Sequence, residues 1–277
     1  MRKRALWVLL LAAWPGLLAA QDWRTLARGR EFNGEQALKV DLEYGAGRLV
    51  VEPAAKGVLY RASMRYDADV FEPQMDFSEN ALHIGIGNGE LKGRKNMKGG
   101  SLDLRLGPQA PLDLELKFGA AEARMELGGL LVRTLRVGTG ASATVLTFSK
   151  PNLMACESAE LEVGAARFEV VGLGNLNTRA LRVSGGVGEL VLDFTGAWKQ
   201  DLDATINMGL GSLTLRVPKG LGVMVEKDGL LAGFDSQGLV KRGKVYYSEG
   251  FNRATRKLAV KLDAAFGAIK VEWVNQT

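Results

Sequence analysis

Seven stretches of this chain share one grammar: an apolar–polar alternation, a small triplet built on Gly-x-Gly or Gly-x-Ala, and a second alternation. They read "LKVDLEYGAGRLVVE", "LDLELKFGAAEARMEL", "LRVGTGASATVLTF", "LEVGAARFEVV", "LRVSGGVGELVLDF", "ATINMGLGSLTLRV" and "VKLDAAFGAIKVEW". The triplets open at Gly45, Gly119, Gly138, Gly164, Gly186, Gly209 and Ala265, at spacings of 74, 19, 26, 22, 23 and 56 residues. Glycine closes five of them, at Gly47, Gly140, Gly188, Gly211 and Gly267. The four central intervals cluster near one value, so the middle of the chain is a repeat, and the two long intervals hold inserted material. A unit this short cannot bury its own apolar face, whereas stacked units can.

The side-chain period is two. Leu190, Leu192 and Phe194 alternate with Glu189, Val191 and Asp193, and Leu213, Leu215 and Val217 alternate with Ser212, Thr214 and Arg216. Such alternation turns one set of side chains inward and the other to solvent. The expectation is an all-β chain, a β-solenoid whose rungs turn at Gly-x-Gly corners, with glycine chosen because it reaches positive φ. A β-sandwich or barrel built from hairpins is the alternative; hairpins favour Asn-Gly or Asp-Gly turns. The third unit, "GASATVLTFS", fits either register.

The glycines could instead cradle a phosphate. A dinucleotide loop needs G-x-G-x-x-G between a strand and a helix. "GVGELVLDF" continues as a strand and lacks the third glycine, and no G-x-x-x-x-G-K-S/T occurs.

Between the repeats, residues 57–86 read as three strands, "VLYRASMRYD", "FEPQMDFS" and "ALHIGIG". The glycine-rich stretch 87–101 reads as a surface loop, whose Lys92, Arg94, Lys95 and Lys98 are a candidate ligand loop. Residues 220–256 read as a hairpin excursion before the final repeat, and the 57–86 strands and Trp273 as caps of the stack. The resulting division is a segment at 1–20, a linker or short cap at 21–36, an N-terminal region at 37–110 and the repeats at 111–274.

Residues 1–20 read as a secretory signal: a basic "MRKR", an apolar "ALWVLLLAAW" and small residues before Gln21. No later run of 18 apolar residues follows, so no transmembrane segment is expected in the mature chain. The formal charge is +5, but three of the 36 basic residues lie in this segment, leaving 33 against 31 acidic. That balance argues against nucleic acid or a polybasic membrane binder as the partner class.

Candidate chemistry is sparse. Cys156 is the one cysteine and His83 the one histidine, which excludes His-rich or Cys-rich zinc sites. Cys156 reads as a core residue. Asp67 with Asp69, and Asp201 with Asp203, are candidate oxygen ligands for calcium, but each pair sits at an expected turn, where Asp is common anyway. The outward charges mix in sign along each rung (Glu122, Arg124, Glu126; Arg167, Glu169; Lys270, Glu272), as on a solvated face with cross-strand ion pairs. No catalytic residue and no cofactor are expected.

At "LKVDLEYGAGRLVVEP", "LYRASMRYDADVFEPQMDF", "PLDLELKFGAAEARMELGGL", "LEVGAARFEVVGLGN", "GGVGELVLDFTGAW" and "GLGSLTLRVPKGLGV" the chain resembles the toast-rack family of bacterial envelope proteins. That family is related to adhesin-type β-solenoid domains and to the extracytoplasmic part of the Lia-type antibiotic response proteins. The resemblance covers 38–274 and implies a right-handed, single-stranded β-helix without catalytic residues. Lia-type proteins carry transmembrane helices ahead of this domain; here a signal segment stands instead, which favours the periplasm or cell surface. The expected function is an exported, non-catalytic binding, adhesin-like or scaffold module of the cell envelope, with an envelope protein or a cell-wall glycan as partner. The alternatives are an envelope-stress regulator acting through a membrane partner and a polysaccharide-active enzyme.

Overall fold

A computed structural model describes residues 22–88, 99–228 and 231–276. Seventeen strands form one mixed sheet. In chain order they are β1 (Trp23–Glu31), β2 (Leu38–Pro53), β3 (Val58–Asp67), β4 (Phe71–Ser78), β5 (Ala81–Asn88), β6 (Gly100–Leu106), β7 (Pro111–Glu126), β8 (Leu131–Thr139) and β9 (Ala143–Thr147). There follow β10 (Ser158–Val171), β11 (Ala180–Asp193), β12 (Leu202–Pro218), β13 (Gly222–Asp228), β14 (Leu231–Asp235), β15 (Leu239–Arg242), β16 (Val245–Ser248) and β17 (Lys257–Val274).

The repeats pair in parallel, each with the next. β2 pairs with β7; β7 with β8 and β9; those two with β10; then β10 with β11, β11 with β12 and β12 with β17. Successive hairpin strands of a sandwich would pair antiparallel. Register follows the apolar pattern. Leu42, Leu116, Val137, Leu161, Val183, Ile206 and Leu262 fall in line, all buried. On the other side of the triplets, Phe168, Leu190, Leu213 and Ile269 do the same. A slip of one residue would turn every one of these side chains to water, which is why the register is well specified.

The third repeat settles its ambiguous phase. Gly138 lies opposite Lys117 and Glu162, and Thr139 opposite Phe118 and Val163. Gly140, not Gly138, therefore occupies the level of Gly119 and Gly164. With that correction the central intervals become 21, 24, 22 and 23 residues. This repeat also buries a threonine among apolar neighbours, Thr144. Its hydroxyl meets Ser142 Oγ at 3.0 Å, and Ser142 accepts from Thr139 at 2.6 Å, so the burial leaves no polar group unpaired.

Buried asparagines join the turns between repeats. Asn152 donates to the carbonyls of Val132 (2.7 Å) and Leu176 (3.1 Å). Asn175 donates to Phe148 (2.7 Å) and accepts from the Ala197 amide (2.8 Å). Each spans neighbouring layers, so satisfying one buried amide fixes the spacing of three turns.

Both ends of the stack are built out of sequence order. At one end β5 and β6 pair in parallel with the two halves of β2; β4 then runs antiparallel to β5, β3 to β6 and β1 to β3. The three strands expected within 57–86 are β3, β4 and β5. The polar segment 21–36 also contributes a strand, β1, which its sequence did not signal because most of its side chains are exposed. At the other end β17 is not outermost. It lies between β12 and the pair β13 and β14, with β16 antiparallel to β13 and β15 to β16. Trp273 thus belongs to an interior layer, where its indole N–H donates to the Gln237 carbonyl at 2.8 Å.

A candidate binding groove along the glycine edge

The strands run unbroken through the triplets, and glycine serves two different needs there. A methyl group on Gly119, Gly164, Gly186 or Gly209 would lie 2.5, 2.7, 3.0 and 2.6 Å from the carbonyl oxygen of a glycine one layer earlier. The opening glycines thus permit close approach between layers. The closing ones need their conformation: Gly47, Gly188, Gly211 and Gly267 have φ of +122°, +137°, +142° and +130°. Ala121 and Ala166 hold the corresponding places in β7 and β10 without positive φ.

The row of side-chain-free positions leaves a groove of about 1030 Å³ that crosses the stacked layers from β2 to β17. Tyr44, Phe118 and Met208 contribute to its lining from the core side. The outward residues just before the triplets form its rim: Glu43, Lys117, Glu162, Ser184, Asn207 and Asp263, on adjacent layers in register. Lys117 is held by Glu115 at 2.7 Å, which raises the Lys117 pKa and lowers that of Glu115. Arg136, also on the rim, binds Glu160 at 2.7 Å. Glu43, Glu162 and Asp263 have no salt-bridge partner among the described residues. The rim is therefore acidic once its cations are discounted.

The Tyr44 hydroxyl is buried without a hydrogen-bond partner among the described residues. Burial, assisted by the Asp103 charge, pushes its pKa up to about 12. Such a phenol stays neutral and remains an unused donor.

Beside the groove stands an apolar ridge made by the middle residues of the triplets. Ala165, Val187, Leu210 and Phe266 align in register, and the last three are each 52% exposed. A single exposed apolar side chain means little, but three in one column make a contiguous patch. Sequence reasoning fixed on the glycines and passed over the residues between them. The signal was the growth of that middle residue from Ala46 and Ala120 to Val, Leu and Phe at solvent-facing positions.

Other residues singled out from sequence take structural parts. The Asp67 carboxylate accepts from the Asp69 amide at 3.1 Å and closes a turn, whereas the Asp201 carboxylate accepts from the Lys257 amide at 3.0 Å and ties the start of β12 to that of β17. No group of three metal-ligating side chains occurs among the described residues. Cys156 is buried, which pushes its thiol up to about 12 and makes it inert. His83 faces outward, 3.4 Å from Asp41. Arg124 pairs with Glu122, Arg167 with Glu189, Arg216 with Glu169 and Lys270 with Glu272, at 3.3, 2.8, 2.7 and 2.8 Å. These carboxylates are committed to cations rather than converging on a reacting centre. Lys92, Arg94, Lys95 and Lys98, like residues 1–20, lie outside the described residues.

These features define a repeat protein whose stacked strands present an open groove. The chain belongs to the toast-rack family: the sequence profile for the N-terminal domain of toast_rack, DUF2154, matches residues 25–171 and again 158–216. Among solved structures it is similar to a "putative cell adhesion protein" from Clostridium sporogenes, at 17% identity and a TM-score of 0.46, over 91% of this chain and all of that one. It is also similar to a "putative adhesin" from Bacteroides fragilis, at 15% identity and a TM-score of 0.44, over 90% of this chain and 97% of that one. No curated protein sequence matches the chain.

Proposed function

We propose that the protein is an exported, non-catalytic binding module of the bacterial cell envelope, adhesin-like or scaffolding in role. In this reading residues 1–20 direct export and residues 21–36 lead into the cap. Residues 37–110 form the N-terminal region, and 111–274 form a right-handed, single-stranded β-helix whose strands bend, without breaking, at the glycine triplets. The body resides in the periplasm or at the cell surface and needs no cofactor.

The observation that carries this reading is the groove. It is open, extends across the layers, and sets Glu162, Ser184, Asn207 and Asp263 on four successive layers roughly 4.8 Å apart. That geometry suits an extended partner with repeating hydroxyl or amide donors, as in a cell-wall glycan or the strand of an envelope protein. Affinity capture with the exported protein from envelope extracts, assayed for both glycans and proteins, tests it. We expect a retained ligand that is lost in Glu162→Gln/Asp263→Asn. Capture that survives this double variant unchanged would remove the groove as the binding site.

The ridge favours a second reading, in which the protein regulates an envelope response through a membrane protein partner. A photocrosslinker placed at Leu210 should then trap one specific protein. A crosslink pattern no different from that of a probe at Arg124 would count against it.

A further inference from the structure

At the C-terminal end of the stack, β13, β16 and β15 form a small antiparallel sheet. Val225, Leu239 and Tyr246 turn inward onto the core. Ser248 is buried with them and accepts the Val223 amide at 2.9 Å. Alternation sends Met224, Glu226, Val245, Tyr247, Val240 and Arg242 to the opposite, outer face, where Glu226 is the one carboxylate among these strand residues. A concavity of about 690 Å³ on that face is lined by Met224, Val240, Tyr247 and Phe251, together with Arg242, Arg253 and Glu249. The Tyr247 and Phe251 rings meet edge-on at 5.3 Å, and Val240 is 55% exposed. This apolar floor has no covering element among the described residues.

Its surroundings are cationic. Residues 219–257 contain eight Lys and Arg against four Asp and Glu, whereas the rest of the chain beyond residue 20 contains 25 against 27. The near-neutral balance of the whole mature chain conceals this polarity. Arg242, Lys244 and Arg253 form no salt bridge among the described residues. Instead Arg242 lies over the Tyr247 ring at 5.7 Å, Lys241 over Tyr246 at 5.5 Å and Lys257 over Phe251 at 5.7 Å.

We propose that this face docks on the surface of an anionic phospholipid bilayer. An exposed valine, the polar-tipped Tyr247 and Arg and Lys free of salt bridges are the chemistry that an interface of acyl chains, headgroups and phosphates accepts. A second copy of this chain is disfavoured as the occupant, because two such faces bring like charges together. The hairpin tip, Arg242-Gly243-Lys244, leads the contact and sets the stack end-on to the membrane, leaving the glycine edge free along its side.

Co-sedimentation of the exported protein with vesicles tests this separately from the groove, since the vesicles hold neither glycan nor protein. Binding is expected to phosphatidylcholine vesicles containing phosphatidylglycerol, not to phosphatidylcholine alone, and to weaken as salt is raised. Arg242→Gln/Arg253→Gln should weaken it on the order of 30-fold, from about 1 kcal/mol per cation near the surface. Val240→Asp should weaken it as well, and Arg124→Gln, on β7 toward the opposite end of the stack, should not. Lys244→Gln, on the exposed tip, keeps the test valid if the double variant misfolds, and its expected loss is about fivefold. Equal binding to neutral vesicles, no binding to either, or unaltered binding by Lys244→Gln would overturn the proposal. So would full competition by inorganic phosphate, which would mark a small-anion pocket.

Discussion

The two ends of the stack solve one problem with opposite surface chemistry. A stack of strands exposes unpaired backbone at each end, an invitation to aggregate, and here both ends are covered by antiparallel strands drawn from inserted segments. At the β1 end the charges are largely matched: Arg24 pairs with Asp22, Arg30 with Glu35 and Arg61 with Glu31, at 2.6, 3.3 and 3.2 Å. At the β15 end Lys241, Arg242 and Lys257 lie over aromatic rings, as Arg30 and Arg65 also do at the β1 end, but these three form no salt bridge among the described residues. An end that only closes the fold gains from neutralising itself.

The largest effect expected in testing this comparison comes from removing one strand at each end. Truncation before residue 258 deletes β17, the layer between β12 and the β13–β14 pair, so the C-terminal cap loses its seat; the product should aggregate on gel filtration. Deleting residues 22–31 removes only β1, which covers β3, and should leave a folded, less stable monomer. A soluble monomer from the first truncation would refute the interior placement of β17.

Next come the glycines. In Gly211→Ala the new methyl would lie 1.9 Å from the Gly188 carbonyl oxygen at φ +142°. We expect a loss of several kcal/mol in denaturant unfolding. Gly243→Ala, on the hairpin, meets no atom within 4 Å and should cost only about 1 kcal/mol, from its φ of +64°. Between these lies Phe168→Ala in the fully buried column, at about 3–5 kcal/mol.

The smallest effects concern charge. Arg133 holds Asp113 below the ordinary carboxylate range, through a two-pronged contact helped by the Thr134 hydroxyl. A depressed folded-state pKa contributes stability above the unfolded value near 3.8, lost as pH falls through the lower folded value. Unfolding free energies of the wild type and Asp113→Asn should therefore converge below pH 4 and differ at pH 7, by less than about 1 kcal/mol for a partly exposed pair. Neutralising Arg242 and Arg253 should leave stability within about 0.5 kcal/mol, because neither holds the fold together.

Much of the fold was legible because its rule is local. Alternation assigned Leu190, Leu192 and Phe194 to the interior, and the recurrence of the triplets implied neighbours in space. The third repeat resisted because "GTGASAT" has small residues at every position, and only the Phe118 and Val163 levels beside Thr139 fix its phase. β1 was missed because an edge strand with mostly exposed side chains carries no alternation. The candidate groove was half legible. The glycines that make its floor were visible, but the rim was not, because Glu43, Glu162 and Asp263 are up to 220 residues apart and look like ordinary solvated charges.

By itself the sequence determined an all-β chain of stacked units, the faces of its repeat strands and the absence of cysteine or histidine clusters for metal chemistry. Each of these follows from residue type and period along the chain. Tertiary structure alone decided that β17 enters between β12 and β13, that Val187, Leu210 and Phe266 make one ridge, and that Arg242, Lys244 and Arg253, without a salt bridge among the described residues, gather at one end. These are relations between segments distant in sequence, and only the pairing of backbones across the sheet brings them side by side.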